Sequence, residues 1–214
     1  MARKATRMTA RKAKKYVVKA KHVSSITKYT VYILQIVLVI ALSYLGVKDT
    51  PFVQGIGLLY WAYPVFVLFT LWWGIWGVAG AYIGSLVGAG LFAGLSPAVS
   101  ILFSTGDLVA AILILILYRS TILKKQSISP YGSDILSNPK AFAWFISWIV
   151  VVTNVLGGLI GVTILLELGF VTAATYSLNL GVWIVGDAIV LILFPFLSKC
   201  LTPIMERKGL LQKF

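Results

Sequence analysis

Two apolar runs organise this sequence: residues 98–118 read AVSILFSTGDLVAAILILILY, and residues 176–201 read YSLNLGVWIVGDAIVLILFPFLSKCL. Each run contains one Gly-Asp pair, ending at Asp107 in the first and at Asp187 in the second. An ionised carboxylate is poorly tolerated in a stretch long and apolar enough to cross a bilayer. Because the chain has only six acidic residues, two of them at matching places need a physical reason.

The composition places the chain in a membrane. Hydrophobic residues make up 59% of the sequence and charged residues 12%, whereas about a quarter of a soluble domain is charged. At about 20 residues per span, 214 residues leave no room for a soluble catalytic domain. A single Cys200 excludes an intrachain disulfide and a Cys-rich metal site. The single His22 lies in the basic leader, which argues against a His-based triad or a multi-histidine metal site within one chain. We expect no enzyme activity, no metal and no cofactor.

The apolar runs predict an all-α integral membrane protein with about six transmembrane helices, multi-pass in the cell membrane. The predicted spans are residues 29–47, 56–72, 75–94, 98–118, 141–165 and 176–201. The second and third divide a stretch without charged residues, and we place the turn at residues 72–77, where Trp and Gly cluster. Pro64 is expected to kink the second span.

Basic residues indicate the orientation. The leader, residues 1–28, has ten Lys or Arg residues and no acidic residue. Except for Lys48, the other basic residues lie in the loop at 119–140 and at the end of the chain, which comprises Lys199 and the tail at 202–214. Six spans put these segments on one side, so the positive-inside rule makes both termini cytoplasmic. We expect the leader to bind anionic lipid. Its few aromatic residues argue against nucleic-acid binding.

The third predicted span carries small residues at helical spacing. One ridge has a small residue at every fourth position and a second ridge of glycines adjoins it; the members are Gly77, Ala81, Ser85 and Ala89, with Gly80, Gly84 and Gly88 beside them. Small residues let helix backbones approach closely in lipid. The ridge is either ordinary helix packing within the chain or a docking face for another subunit.

The two aspartates are the candidate binding groups. Each lies about 14 to 17 Å along its predicted span, near the middle of the bilayer, and no Lys, Arg or His lies at that depth. Such a carboxyl group stays protonated, lines a wet cavity or is compensated by a bound cation. This indicates a small cationic or amine-bearing substrate, H⁺ or Na⁺. The alternative is a structural role, in which a protonated aspartate donates a hydrogen bond to a backbone carbonyl.

Aromatic and amide side chains add to this candidate site. Phe103 and Trp183 each precede an aspartate by four residues, and a ring beside a carboxylate favours an organic cation. Asn179 shares a helical face with Trp183, and Asn154 lies in the fifth predicted span. We expect both asparagines to be accessory contacts to the substrate.

The chain resembles the substrate-binding S components of energy-coupling-factor transporters in four features. These are the glycine-rich third span, the turn at Gly94-Leu95-Ser96-Pro97, the mid-span Thr105-Gly106-Asp107 and the six spans with a cytosolic N-terminus. The resemblance implies capture of a vitamin, a precursor or a metal ion from outside. It also implies delivery through a transmembrane T subunit and a pair of ATPases. The Ala-x-x-x-Ala pattern frequent on the first span of that family is represented here only by Ala41.

The end of the chain has a second, weaker resemblance. Residues 183–188 (WIVGDA) and 194–197 (FPFL) are similar to the last spans of MASE-type membrane sensor domains. This implies a membrane sensor or assembly protein that acts through a partner, without transport. The leading expectation is the small-solute binding subunit of an importer, and the sensor is the alternative.

Overall fold

A computed structural model of the chain describes residues 23–53, 55–119 and 126–212. Residues 1–22, which form most of the predicted basic leader, lie outside this range, as do residues 120–125 of the predicted loop. The expected contact between the leader and anionic lipid therefore stays a prediction.

The described chain is built from helices with one short hairpin. In chain order the elements are α1 (Ser25–Asp49), β1 (Pro51–Val53), β2 (Ile56–Gly57), α2 (Tyr63–Trp73), α3 (Ile75–Gly84) continued by the π-helix π1 (Ser85–Leu91), α4 (Pro97–Phe103), α5 (Thr105–Arg119), α6 (Pro139–Trp144) continued by the π-helix π2 (Phe145–Thr153), α7 (Asn154–Glu167), α8 (Tyr176–Leu191) and α9 (Leu193–Arg207). The two strands pair antiparallel.

Within the described residues, four helical segments are long and apolar enough to cross a membrane: Ser25–Asp49, Pro97–Tyr118, Pro139–Glu167 and Tyr176–Arg207. Their outward surfaces carry large apolar side chains that are more than half exposed, such as Ile33, Ile116 and Val185. Soluble monomers rarely expose apolar surface on this scale. The described chain is therefore almost entirely helical, and its four long apolar helices fit the all-α membrane protein that the sequence predicts. The count of six crossings and the cytoplasmic position of both termini stay predictions.

The second predicted span differs most from the structure. Residues 56–57 form a strand and α2 begins only at Tyr63, so this helix has 11 residues and is about 16 Å long, half the thickness of the hydrocarbon core. Pro64 does not kink it. The proline lies in the first turn, where its missing N–H leaves no helical hydrogen bond unmade. The expected kink was wrong because the helix starts where the proline stands.

Helix α2 is the centre of the bundle. All of its residues except Val65 are buried, and it packs against α3, α5, α8 and α9. It ends at Gly74, which has a φ of 60°, and α3 begins at the next residue. Glycine adopts this backbone conformation without steric cost. The turn predicted at residues 72–77 is confirmed.

The small-residue ridge of α3 and π1 is used inside the chain. A Cβ added at Gly80 would overlap Gln35, one at Gly84 would overlap Val39, and one at Gly88 would overlap the backbone of Ile40, all on α1. Gly77 is in the same way pressed against the backbone of α2, and Ala81, Ser85 and Ala89 are buried. The geometry is that of close helix packing, and the ridge does not form an exposed docking face.

Three parts of the chain meet at one end of the bundle: the turn between α2 and α3, residues 126–138 of the 119–140 loop, and the C-terminal segment. The indole of Trp73 donates to the Leu210 carbonyl at 2.8 Å, the indole of Trp72 donates to Thr202 Oγ1 at 3.0 Å, and the Gln212 N–H donates to the Trp72 carbonyl. Tyr29, near the start of α1, contacts the ring of Trp76 at the same end. The described start of α1, with Lys28, and the C-terminal segment, with Lys208, therefore lie at this end.

Candidate functional site

Four of the six predicted binding residues meet in one cavity. Asp107 on α5, Asp187 on α8, Phe103 on α4 and Trp183 on α8 all line it; the remaining lining residues are Gly55, Ile56, Gly57, Tyr60 and Ala89. Each aspartate is only 4% exposed. The rings of Phe103 and Trp183 form an edge-on pair with centroids 5.6 Å apart. Two acidic side chains 80 positions apart in the sequence thus line the same cavity.

The glycine before each aspartate explains why that helix comes so close to its neighbour. A Cβ added at Gly106 would lie 2.7 Å from the carbonyl oxygen of Gly157 on α7. A Cβ added at Gly186 would overlap the carbonyl oxygen of Leu58, in the segment between the hairpin and α2. In both places one backbone packs directly on another, and the following residue projects its carboxyl group into the cavity.

A break in the fourth predicted span positions Asp107. Helix α4 ends at Phe103 and α5 begins at Thr105, while the Ser104 hydroxyl donates to the Ser100 carbonyl at 2.7 Å. Asp107 consequently lies in the first turn of α5.

Tyr60 is the site residue that sequence reasoning missed. Its hydroxyl group donates to Asp107 Oδ2 at 3.3 Å and lies 2.9 Å from Ser43 Oγ on α1, so a buried chain of polar groups runs from α1 to the cavity. The sequence signal was the pair Gly55 and Gly57 after Pro51, which is typical of irregular backbone. Such backbone is tolerated at membrane depth where it is buried in protein.

Ser85 adds a second hydroxyl group beside Asp107. This side chain on π1 is fully buried and lies close enough to interact with both the Asp107 carboxyl group and the Tyr60 hydroxyl group. Its Oγ has no hydrogen-bond partner among the described residues. The hydroxyl group of Ser85 therefore adds to the polar surroundings of Asp107 and Tyr60.

The cavity is acidic and has no basic counterpart. The two carboxyl groups are close enough to repel each other when ionised, and the Trp183 indole lies beside Asp187. No Lys, Arg or His of the described chain acts on either carboxyl group. Two carboxylates in one buried site cannot both stay ionised without compensation.

Asn154 and Asn179 are not among the residues that line the cavity. The Asn154 side chain donates to the Ile184 carbonyl at 2.9 Å and so ties α7 to α8. The Asn179 side chain donates to the Thr175 carbonyl at 2.8 Å, one turn earlier in the chain. Both make backbone contacts in this structure, and the contact with substrate expected of them stays a prediction.

No protein family, curated protein or solved structure matches this chain. The function must therefore be argued from the cavity itself.

The size and the ligand set of the cavity limit what it can hold. About 20 Å³ is open to the centre of a water-sized sphere, which is room for about one water-sized group. Within the described chain no three His, Cys, Asp or Glu residues are grouped as a metal site would require. Calcium takes six to eight oxygen ligands, and magnesium needs an octahedral set of ligands and waters. The arrangement does not fit either divalent ion.

Proposed function

We propose that the protein is a membrane-embedded subunit that binds a small solute, and that it serves a multi-subunit importer of the kind that the energy-coupling-factor S components represent. The observation that carries the proposal is the meeting of Asp107 and Asp187 in one cavity, where none of the described residues supplies a basic partner. A structural aspartate would be expected to donate to a neighbouring backbone carbonyl. Here the hydroxyl group of Tyr60 donates to Asp107 instead.

The position of the cavity supports binding from the outer side. Ser43, which contacts Tyr60, lies six residues before the end of α1, whereas the tryptophans that hold the C-terminal segment lie at the other end of the bundle. The described residues Lys28 and Lys208 belong to segments at the tryptophan end, and segments rich in Lys and Arg remain in the cytoplasm. On this orientation the cavity lies in the outer half of the membrane.

The importer needs energy and partners that this chain does not supply. The proposal assigns those roles to a transmembrane T subunit and an ATPase pair, with this chain as the recognition subunit. Isolation of the intact complex from native membrane tests the assignment. An ATPase pair with a T-like subunit supports the importer, and a kinase or cyclase partner would instead identify a sensor.

Solute binding is tested by mass spectrometry of small molecules that purify with the protein in native lipid. Asp107→Asn and Asp187→Asn keep the side-chain size and remove the charge. Asp49→Asn, at the exposed end of α1, is the matched control. We expect the solute with the wild type and the control and its loss from both cavity variants. Unchanged retention in both cavity variants would overturn the site.

A further inference from the structure

The cavity offers hydrogen-bond acceptors from three separate parts of the chain. They are the carboxyl oxygens of Asp107 and Asp187 and the hydroxyl oxygen of Tyr60, all of which line it. An alkylammonium group has three N–H donors and no acceptor. Its three N–H donors therefore match a site that is rich in acceptors. None of the described Lys, Arg or His residues acts on either carboxyl group.

The size of the cavity favours the same group. The open space accommodates about one water-sized group, and an ammonium group is close to a water molecule in size. A quaternary ammonium such as tetramethylammonium is far larger and has no N–H to donate. A hydrated or octahedral metal ion is also too large for this space.

The aromatic walls distinguish an ammonium group from an alkali ion. Phe103 and Trp183 line the cavity together with the two carboxyl groups. A bare metal ion would need further oxygen ligands, which these two rings do not supply. Ring faces attract an ammonium group at short range, and the attraction is larger where water is excluded. The buried negative charge of the aspartates is offset at the same time.

We propose that the cavity binds an ammonium group, either the ammonium ion or the head of a small primary amine, with Asp107, Asp187 and Tyr60 as its ligands. This inference rests on the proposed function, since it names the chemical class of the solute. Ser85 lies beside Asp107 and adds a hydroxyl group to the surroundings of these ligands. The carbon part of an amine would lie against Phe103 and Trp183.

The test is a thermal unfolding series of the full chain in nanodiscs of neutral lipid. Sodium chloride is replaced at constant chloride by ammonium, methylammonium or tetramethylammonium chloride. We expect the melting temperature to rise with ammonium, with methylammonium or with both, and not with tetramethylammonium. A response to ammonium alone identifies the free ion, and a response to methylammonium identifies an amine head. No rise with either, or an equal rise with tetramethylammonium, would overturn the inference.

Variants locate the effect in the cavity. Asp107→Asn and Asp187→Asn should each raise the dissociation constant for the responding cation about tenfold or more, because a charge-assisted hydrogen bond is lost. Asp49→Asn should leave it unchanged. An unchanged constant in both cavity variants would contradict the inference, and the wild-type series decides the ligand class even if a variant fails to fold. A co-purifying solute without an amine, lost from both variants, would refute only the ammonium class and leave solute binding in place.

Discussion

The hydroxyl group of Tyr60 donates a hydrogen bond of 3.3 Å to Asp107 across 47 positions of the chain. This contact joins the irregular segment before α2 to the first turn of α5. It also fixes one carboxyl oxygen of Asp107 and leaves the other available to the cavity. The buried carboxyl group is thus held in place by a side chain from a part of the sequence without any charged residue.

Tyr60→Phe should weaken both the fold and the site. Loss of the hydroxyl group removes the contacts with Asp107 and Ser43 and leaves two buried polar groups unpaired, at a cost of about 1 kcal/mol or more in the free energy of unfolding. Tyr82→Phe is the control, because that hydroxyl group bonds the Ile101 carbonyl at an exposed position and its loss should cost less than about 0.5 kcal/mol. Denaturant unfolding in mixed micelles measures both values. Equal costs would contradict the role of Tyr60.

Gly186→Ala should destabilise the protein through a backbone clash. The added Cβ would overlap the Leu58 carbonyl oxygen, and separating α8 from that segment should cost about 1 to 3 kcal/mol. Gly181→Ala lies on the same helix with nothing within 4 Å of the added Cβ, so it should change stability by less than about 1 kcal/mol. The difference in melting temperature between these two variants is the measurement. Similar melting temperatures would show that α8 does not pack on this segment.

Ala89→Leu should fill the cavity. Ala89 lines it and is 2% exposed, and the larger side chain would take the place of the one water-sized group for which the cavity has room. We expect the stabilisation by ammonium or methylammonium to disappear. Ala98→Leu, at the exposed start of α4, should leave it intact. Persistence of the response in the Ala89 variant would place the cation elsewhere in the protein.

Trp73→Phe should release the C-terminal segment without affecting the cavity. The variant loses the 2.8 Å hydrogen bond to the Leu210 carbonyl at the opposite end of α2. Hydrogen exchange should become faster at residues 209–212, with unchanged cation binding. Trp76→Phe, at a half-exposed side chain that contacts Tyr29 and Tyr32, is the control and should not alter exchange there. Unaltered exchange in the Trp73 variant would mean that the segment is held by its other contacts.

The sequence was sufficient to single out the acidic pair but not its surroundings. Charge in an apolar run is conspicuous, so Asp107 and Asp187 could be found from composition and depth alone. The hairpin before α2 could not, because residues 52–94 have no charge to mark where helix gives way to extended backbone. Tyr60 therefore stood inside a predicted span as an ordinary aromatic residue.

The direction that a side chain faces was the other limit. Spacing predicted that the small residues of α3 and π1 form a ridge, but only the packed structure shows that α1 covers it. The same uncertainty affected Asn154 and Asn179, whose side chains bond backbone carbonyls rather than line the cavity. The spacing of residues in a sequence shows which side chains share a helical face, but it does not show which helix packs against that face.

The proposed site requires Asp107 and Asp187 to act together on one bound solute. Native mass spectrometry of the protein released from native-lipid nanodiscs tests this directly, with the wild type compared with the Asp107→Asn, Asp187→Asn double variant. We predict a bound small-molecule mass on the wild type and its absence from a correctly folded double variant. The same mass at the same occupancy on both proteins would contradict the account.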